Sequence, residues 1–252
     1  MQAVILAAGY GTRLYPITAD RAKPLVEAGG KTILDYLIEK LLRQEIIDGL
    51  SIVVNDRFHT QFLDWQKVFE KTAGKSLPLT IINDGTTSNQ HRLGAIRDLS
   101  LALSGIDEMQ AVLISAADDI FCFPFRPLIE TYLERDSSVI ALIKSDDPDR
   151  ISKSGNGLID DEGRVIEMVE KPEKPISSLL SPCLYILHAV DRKLLDEYLE
   201  GGNNPDAPGY FIAWLIRKTT VYSTVFSEPV YSIGDIEEYK KVCRLFKTNP
   251  PL

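Results

Sequence analysis

The sequence predicts an α/β fold: a Rossmann-like, mostly parallel sheet flanked by helices, with a further lobe formed by the C-terminal part of the chain. Two observations support this fold class. Short runs of β-branched and aliphatic residues alternate with stretches whose apolar residues recur at helical spacing, which is typical of a parallel sheet covered by helices on both faces. After about residue 150 the alternation gives way to a hairpin pattern, which indicates the lobe.

Each predicted element follows from such a run, taken in chain order. Up to about residue 150 the predicted strands and helices are 4–6 (strand), 33–42 (helix), 52–54 (strand), 58–69 (helix), 79–82 (strand), 93–103 (helix), 111–114 (strand), 128–133 (helix) and 139–142 (strand). Beyond it, the acidic residues and Gly163 suit the turn of a hairpin over 155–171. The remainder is predicted as 183–187 (strand), 190–200 (helix), 209–218 (helix), 220–226 (strand) and a final helix from 235. We see no repeat or low-complexity linker and expect one domain, 1–252.

Composition excludes some partners and indicates a compartment. The 252 residues carry a formal net charge of −8, so nucleic acid and anionic membranes would be repelled over most of the surface, and a phosphate site would have to be locally basic. Cys122, Cys183 and Cys243 have no metal-ligand spacing, which favours free thiols in a reducing cytoplasm. The apolar run at the N-terminus is too short for a membrane span and lacks a basic leader. We therefore expect a cytoplasmic protein.

A glycine loop follows the first predicted strand. Gly9 and Gly11 allow the backbone to turn tightly and to bring its N–H groups against phosphate oxygens, while Arg13 and Lys23 supply cations. A dinucleotide-binding loop would need a third glycine where Leu14 stands, so a dehydrogenase is disfavoured. The loop predicts a triphosphate cradle.

A second run, Gly30-Lys31-Thr32, is similar to the end of a P-loop. The first glycine of that motif is missing, because Leu25 stands in its place, and no strand leads into the run. We interpret it as the turn and the N-terminus of the next helix.

The segment LAAGYGTRL, from Leu6 to Leu14, followed by Lys23-Pro24-Leu25, resembles the signature of the sugar-1-phosphate nucleotidyltransferases. Later landmarks of that family follow in order along the whole chain. The resemblance implies transfer of a nucleotidyl group from a nucleoside triphosphate to a sugar 1-phosphate or a similar acceptor such as a cyclitol phosphate, with release of pyrophosphate. It also implies that about 1–150 form the nucleotide-binding core and about 151–252 an acceptor-side lobe.

The resemblance carries roles to individual positions. The loop residues Leu6, Ala8, Gly9, Gly11 and Thr12 would bind the nucleotide, and Arg13 and Lys23 would bind its phosphates and stabilise charge during attack. Asp118, in Ala117-Asp118-Asp119-Ile120-Phe121, would hold Mg²⁺. The acceptor would be bound by Gly155 and by Glu170-Lys171-Pro172, whose lysine contacts the acceptor phosphate. The polar strand end that includes Gly85 and Thr86 is a further place where a nucleotide base could be bound. Its hydrogen-bonding groups suit more than one base.

The family pattern is broken at three positions. Ser232-Ile233-Gly234 stands where the family usually has an Asp-Ile-Gly-like motif that gives a second carboxylate to the metal. Ser232 is a weak ligand, so Asp119 or Asp235 would have to substitute, although Asp235 is expected at the N-cap of the last helix. Ala117 and Cys183 replace glycines of the family and narrow the pocket.

Two alternatives stay open at this stage. The departures are consistent with a non-catalytic relative that binds nucleotide or sugar phosphate. A cytidylyltransferase acting on a phosphorylated alcohol such as choline phosphate would share the glycine loop and would need aromatic residues around the ammonium group. Tyr185, Tyr210 and Trp214 are candidates for that cage, although core packing is the commoner role at such spacing. The sequence is also compatible with a homo-oligomer.

Overall fold

The computed structural model of the chain describes residues 1–72 and 77–248. The strands in these ranges are β1 (Gln2–Leu6), β2 (Glu27–Ala28), β3 (Lys31–Thr32), β4 (Gly49–Val54), β5 (Leu79–Asn83), β6 (Val112–Ala116), β7 (Asp119–Phe121), β8 (Val139–Lys144), β9 (Gly155–Ile159), β10 (Val165–Glu170), β11 (Leu179–Ser181), β12 (Leu184–Leu187), β13 (Tyr222–Phe226) and β14 (Val230–Ser232). The α-helices in the same ranges are α1 (Ile33–Leu42), α2 (His59–Thr72), α3 (Ala95–Leu103), α4 (Arg126–Arg135), α5 (Pro148–Ile151), α6 (Ala189–Arg192), α7 (Leu194–Glu200), α8 (Pro208–Leu215) and α9 (Ile236–Thr248).

The main sheet joins a parallel half to an antiparallel half. β5, β4, β1 and β6 are parallel neighbours, so their carboxyl ends meet at one edge. On the other side of β6 the order continues β12, β8, β11, β9 and β10 through antiparallel pairs, while β13 lies parallel to β8. The predicted α/β fold with flanking helices is confirmed, and the predicted hairpin over 155–171 is the β9–β10 pair. The sheet runs without a break from the N-terminal core into the C-terminal lobe.

Apolar side chains of the strands alternate between two cores because successive strand residues point to opposite faces. In β1, Ala3 and Ile5 pack on the face covered by α1, α2 and α4, while Val4 packs on the face covered by α3, α7 and α8. Each fully buried aliphatic side chain of this kind stabilises the fold by about 1.5–3 kcal/mol. A third, smaller cluster joins α9 to α1 and to the β2–β3 hairpin.

Side-chain caps fix where two helices begin. Thr32 and Asp35 form a capping box, in which each side chain accepts from the other residue's backbone N–H, at 3.1 and 3.0 Å. This confirms that the run resembling a P-loop is the start of α1. Asp235 Oδ1 accepts from the backbone N–H groups of Glu237 and Glu238, both at 3.0 Å, at the start of α9.

The β7–β14 pair lies outside the main sheet. The three-residue strand β7 follows shortly after the end of β6, and the three-residue strand β14 shortly precedes α9. Their register sets Asp119 opposite Ser232. The sequence did not indicate either strand, since three residues are too few to carry a period. None of the helices in the described ranges has the length and apolar character needed to cross a bilayer.

Candidate active site

Two adjoining clefts lie at the carboxyl ends of the parallel strands. The first cleft has a volume of about 300 Å³ and lies between the glycine loop and the start of α3. The second cleft has a volume of about 490 Å³ and extends from the glycine loop toward β9, β10 and β14. Five residues line both clefts, so the two are continuous: Arg13, Ala116, Asp118, Pro208 and Gly234.

The glycine loop is held against the turn that carries Lys23. Gly11 has a left-handed backbone with φ +62°, and a Cβ there would lie 3.2 Å from Lys23 Cβ and 3.3 Å from Thr18 Cβ. Thr18 Oγ1 donates a hydrogen bond of 2.7 Å to the Gly11 carbonyl oxygen, and this bond holds the loop in place. Arg13 follows in a single 3₁₀ turn and faces both clefts. The loop residues Leu6, Ala8, Gly9, Gly11 and Thr12 line the first cleft, and their contact with a nucleotide stays a prediction.

Lys23 and Asp118 form a close ion pair at the junction. Lys23 Nζ donates to Asp118 Oδ2 at 2.7 Å, and the lysine side chain is only 9% exposed. Burial alone would raise the pKa of Asp118, but the Lys23 ammonium group and its hydrogen bond, with Arg13 nearby, hold that pKa below its ordinary value. Asp118 is therefore held as a carboxylate, and its side chain is 44% exposed where the two clefts meet.

Asp119 adds a second carboxyl beside Asp118. Its Oδ1 accepts a hydrogen bond of 2.6 Å from Ser232 Oγ across the β7–β14 pair. Burial and the neighbouring Asp118 charge raise the pKa of Asp119 to about 6. Ser232, which replaces the family's second carboxylate, is thus bound to an aspartate on the adjoining strand, while Asp235 is engaged as the cap of α9.

These carboxylates suit Mg²⁺ as judged by donor type. Residues 1–72 and 77–248 hold no group of three or more Asp, Glu, His or Cys side chains that could ligate a metal. Mg²⁺ is commonly held by only one or two carboxylates, with the remaining positions taken by phosphate and water. Asp118 and Asp119, both lining the second cleft, match that requirement.

The predicted acceptor residues come together in the second cleft. Glu170 is buried, and a Cβ at Gly209 would overlap its carboxylate, while one at Gly155 would lie 3.2 Å from it. Both glycines therefore make room for Glu170, whose pKa is raised by burial against the opposing effect of Lys171. Lys171 Nζ is 3.9 Å from Glu170 Oε1 and about half exposed, and its backbone is left-handed with φ +49°. Lys171 lines the second cleft in this uncommon backbone conformation.

The second cleft is not basic, contrary to the sequence-based expectation for a phosphate site. Its basic residues are Arg13, Arg150, Lys153, Lys171 and Lys241. Its acidic residues are Asp118, Asp119, Asp147, Asp149, Glu170, Asp235 and Glu238. A phosphorylated ligand in this cleft would therefore need a bound cation as well as the basic side chains. Arg150 and Lys153 lie on and after α5, a short helix without a sequence signal.

Gly85 and Thr86 do not line either cleft. Thr86 is buried in a network in which its Oγ1 bonds Tyr10 Oη at 2.9 Å and Asp84 Oδ2 at 3.0 Å. Gly85 is exposed and takes φ +76° in the turn. Their contact with a base remains a prediction. The polar side chains that do line the first cleft near α3 are Asn89, Arg92 and Asp98, together with Asp206.

The aromatic residues considered for a choline cage do not surround one space. Tyr185 lines the second cleft but is fully enclosed, with 2% exposure. Trp214 packs edge-on against Tyr198 at 5.6 Å between ring centroids, and Tyr210 packs against the same core. These contacts fit core packing, the commoner role, for Trp214 and Tyr210.

Comparison with known proteins gives a consistent result. The family model described as nucleotidyl transferase matches residues 2–220. The chain is 26% identical over 249 residues to a glucose-1-phosphate adenylyltransferase of Thermomicrobium roseum, covering 94% of this chain and 57% of that protein. It is 29% identical over 185 residues to the UTP–glucose-1-phosphate uridylyltransferase AglF of Haloferax volcanii, covering 73% of this chain and 71% of that protein.

Solved structures have the same fold. A UDP-glucose pyrophosphorylase complexed with UDP-glucose superposes with a TM-score of 0.80 at 19% identity, covering 98% of each chain. At this identity the similarity demonstrates the fold and leaves the substrate open.

Proposed function

The chain belongs to the nucleotidyl transferase family, and on that premise we propose that it transfers a nucleotidyl group from a nucleoside triphosphate to a sugar 1-phosphate or a cyclitol phosphate, releasing pyrophosphate. One observation carries the proposal: the two clefts meet at Arg13 and at the Lys23–Asp118 pair. A triphosphate in the first cleft and a phosphorylated acceptor in the second would have their reacting groups at that junction. The relatives' names, which describe transfer of adenylyl and uridylyl groups to glucose 1-phosphate, support the same reaction.

The reaction needs little covalent work from the protein. An acceptor phosphate oxygen forms a bond to the α-phosphorus, the bond from that phosphorus to the bridging oxygen breaks, and the electron pair leaves with pyrophosphate. Positioning and charge neutralisation supply most of the catalysis in such transfers. Lys23 and Arg13 are the cations at the junction, and Lys23 is held in place by Asp118 at 2.7 Å. We assign them the stabilisation of charge on the α-phosphate and on the leaving group.

Asp118 and Asp119 would hold Mg²⁺. When bound, the ion supplies charge neutralisation and orientation of phosphate oxygens. Asp119 takes over the second carboxylate that Ser232 does not provide, since the two side chains are hydrogen-bonded at 2.6 Å and share one place in the site. The hydroxyl of Ser232 orients the Asp119 carboxylate, in the same way that outer partners orient metal ligands elsewhere.

Lys171 would bind the acceptor phosphate. Its ammonium group is the counter-charge of the buried Glu170, 3.9 Å away, and its half-exposed position allows it to reach a ligand in the second cleft. Glu170 and Gly155 then shape the floor against which the acceptor lies. We expect Lys171→Ala to weaken the acceptor's affinity and to leave triphosphate binding nearly unchanged.

A non-catalytic relative is the second candidate, and the neutral Ser232 in place of a carboxylate favours it. The two are separated by a screen of four nucleoside triphosphates against a panel of sugar and cyclitol phosphates, following pyrophosphate release with Mg²⁺ present. We expect release with at least one pair and none when Asp118 is changed to Asn. If no pair gives release while a triphosphate still binds, the protein is a binding relative.

The cellular setting belongs to the same proposal. Cys122, Cys183 and Cys243 are free thiols in the structure, which suits the reducing cytoplasm where nucleoside triphosphates are abundant. We propose a cytoplasmic enzyme with small-molecule partners. Whether two or more copies associate is a matter for measurement of the mass in solution.

A further inference from the structure

Asp98 is a buried acid without a partner. It lies on α3 with only 6% of the residue exposed, and its Oδ1 has no hydrogen-bond partner among the described residues. An unpaired buried carboxyl costs free energy, so a fold retains one where a ligand supplies the missing contact. The catalytic steps described above do not involve Asp98, and sequence analysis did not identify it.

Asp98 is one of the residues that line the first cleft. Its neighbours in that lining include Leu6 and Ala8 from the end of β1, and Gly94 and Ala95 from the start of α3. This part of the cleft is therefore a largely apolar space with one unsatisfied carboxyl in its wall. Flat, mostly apolar ligands with a few hydrogen-bonding groups on one edge fit such a site, and a nucleobase is a ligand of this kind.

No positive charge is paired with Asp98 among the described residues. Arg92 in the same cleft is bound to Asp206, with its Nη2 2.8 Å from Asp206 Oδ1. The charged residue that affects the pKa of Asp98 is another acid, Asp84, which directly follows β5. Burial, and to a lesser extent Asp84, raise the pKa of Asp98 to about 7. The carboxyl is thus protonated in a large fraction of molecules near neutral pH.

We propose that the carboxyl of Asp98 binds the hydrogen-bonding edge of the nucleobase and orients it in the first cleft, an inference that rests on the function proposed above. A neutral carboxyl presents one donor beside one acceptor. All five common bases present a donor next to an acceptor on their pairing edge and are complementary to this neutral form; guanine does so with its N1–H and O6. One donor–acceptor pair at Asp98 would thus fix the orientation of whichever base binds.

The experiment measures equilibrium binding of ATP, CTP, UTP, dTTP and GTP, each with Mg²⁺ and without acceptor, to the wild type and to Asp98→Ala, Asp98→Asn and Arg97→Gln. Inorganic tripolyphosphate serves as the ligand that has phosphates but no base. Arg97 is the preceding, exposed residue of α3 and lies outside the cleft, so Arg97→Gln is the matched control. Circular dichroism and thermal unfolding establish that each variant is folded.

We expect the wild type to bind at least one of the five nucleotides. Asp98→Ala should weaken the most tightly bound nucleotide by about tenfold, because the base edge loses its partner, and should leave tripolyphosphate unchanged. Asp98→Asn, which always offers a donor beside an acceptor, should keep the affinity for that nucleotide within a few-fold of the wild type. Arg97→Gln should match the wild type.

Two results would overturn the inference. They are unchanged affinities for all nucleotides in Asp98→Ala, and an equal loss of affinity for tripolyphosphate in that variant. Failure of the proposed function is distinguishable, since it would appear as absence of pyrophosphate release from the wild type with every acceptor, whereas the contact with the base is measured by binding alone.

Discussion

Lys23 places its ammonium group 2.7 Å from Asp118 at the point where the two clefts meet. We expect Lys23→Ala to lower turnover by about a hundredfold, because loss of one preorganised charge at a reacting phosphate costs roughly 3 kcal/mol of transition-state stabilisation. Steady-state pyrophosphate release measures the effect. Lys31→Ala is the control, since Lys31 is an exposed residue paired with Glu39. Turnover within a few-fold of the wild type in Lys23→Ala would remove Lys23 from the catalytic machinery.

Ser232 and Asp119 allow a charge-exchange test of the metal site. Ser232→Asp alone would set a second carboxylate against Asp119, where the hydroxyl now donates at 2.6 Å, and should lower the free energy of unfolding by about 1–3 kcal/mol. The double change Ser232→Asp with Asp119→Asn again leaves one carboxylate in this pair, as in the wild type. It should recover both stability and Mn²⁺ affinity.

Ser232→Ala controls this experiment by removing the hydrogen bond without adding charge. Mn²⁺ titration followed by electron paramagnetic resonance reads metal affinity independently of turnover. If Asp119→Asn alone binds Mn²⁺ as the wild type does, Asp119 is not a ligand.

Residues of the site were predictable where one continuous motif carried them. Arg13 and Lys23 belong to the glycine loop and its following turn, and Asp118 comes two residues after the clearly patterned strand β6. Asp98 could not be found in this way. Ser232 and Asp119 were both named from the sequence, but their direct hydrogen bond was not predictable from a local motif. The burial of Asp98 depends on elements far along the chain, and Ser232 is 113 residues from Asp119.

At the level of elements, length decided what the sequence predicted. Strands such as β4 and helices such as α1 carry several residues of one period, and their existence was predicted correctly. The three-residue strands β7, β11 and β14 carry none. Their formation depends on backbone pairing with partners that the fold brings near, which a local pattern does not encode.

The start of α3 depends on a close approach of two backbones. Ala95 and Ile96 donate backbone hydrogen bonds to Asp206 O and Pro205 O at 3.4 and 2.9 Å, so the loop before α8 satisfies the first turn of α3. A Cβ at Gly94 would lie 2.6 Å from Pro205 O. Gly94→Ala must therefore displace this loop from the first cleft.

Gly30→Ala is a close control for that change. Gly30 has φ +90° and Gly94 has φ +92°, but nothing lies within 4 Å of a Cβ at Gly30. Both changes place an alanine at a positive φ, where an L side chain is strained. We expect Gly94→Ala to cost about 2 kcal/mol more than Gly30→Ala in chemical denaturation, and to weaken triphosphate binding. Equal costs would show that the contact with Pro205 does not hold the loop.

For the molecule as a whole, the position of the site follows from the sheet. The parallel half brings the ends of β1 and β6 together, and the antiparallel half carries β9 and β10 to the other side of the same junction. A nucleotide and an acceptor can thus approach from opposite halves of one sheet. Ligands of open α/β sheets collect at the carboxyl ends of the strands in the same way.

The raised pKa of Asp98 affects the stability of the whole molecule. We expect the free energy of unfolding to fall as the pH rises from 5 to 8. The pKa of Asp98 is raised from 3.8 to about 7 on folding. A carboxyl whose pKa is raised in the folded state favours folding fully below pH 4, and that contribution is lost as the pH rises through 7. We expect the loss to be roughly 2–4 kcal/mol for Asp98.

Asp98→Asn removes this titration. The free energy of unfolding of the variant minus that of the wild type should therefore be larger at pH 8 than at pH 5. Urea denaturation of both proteins at the two pH values measures the effect. Asp119, whose pKa is raised to about 6, titrates in both proteins and cancels in the comparison. A saturating triphosphate that engages Asp98 should reduce the difference, because the base then supplies the partner that the empty cleft lacks. Parallel pH profiles in the two proteins would mean that Asp98 is paired in solution.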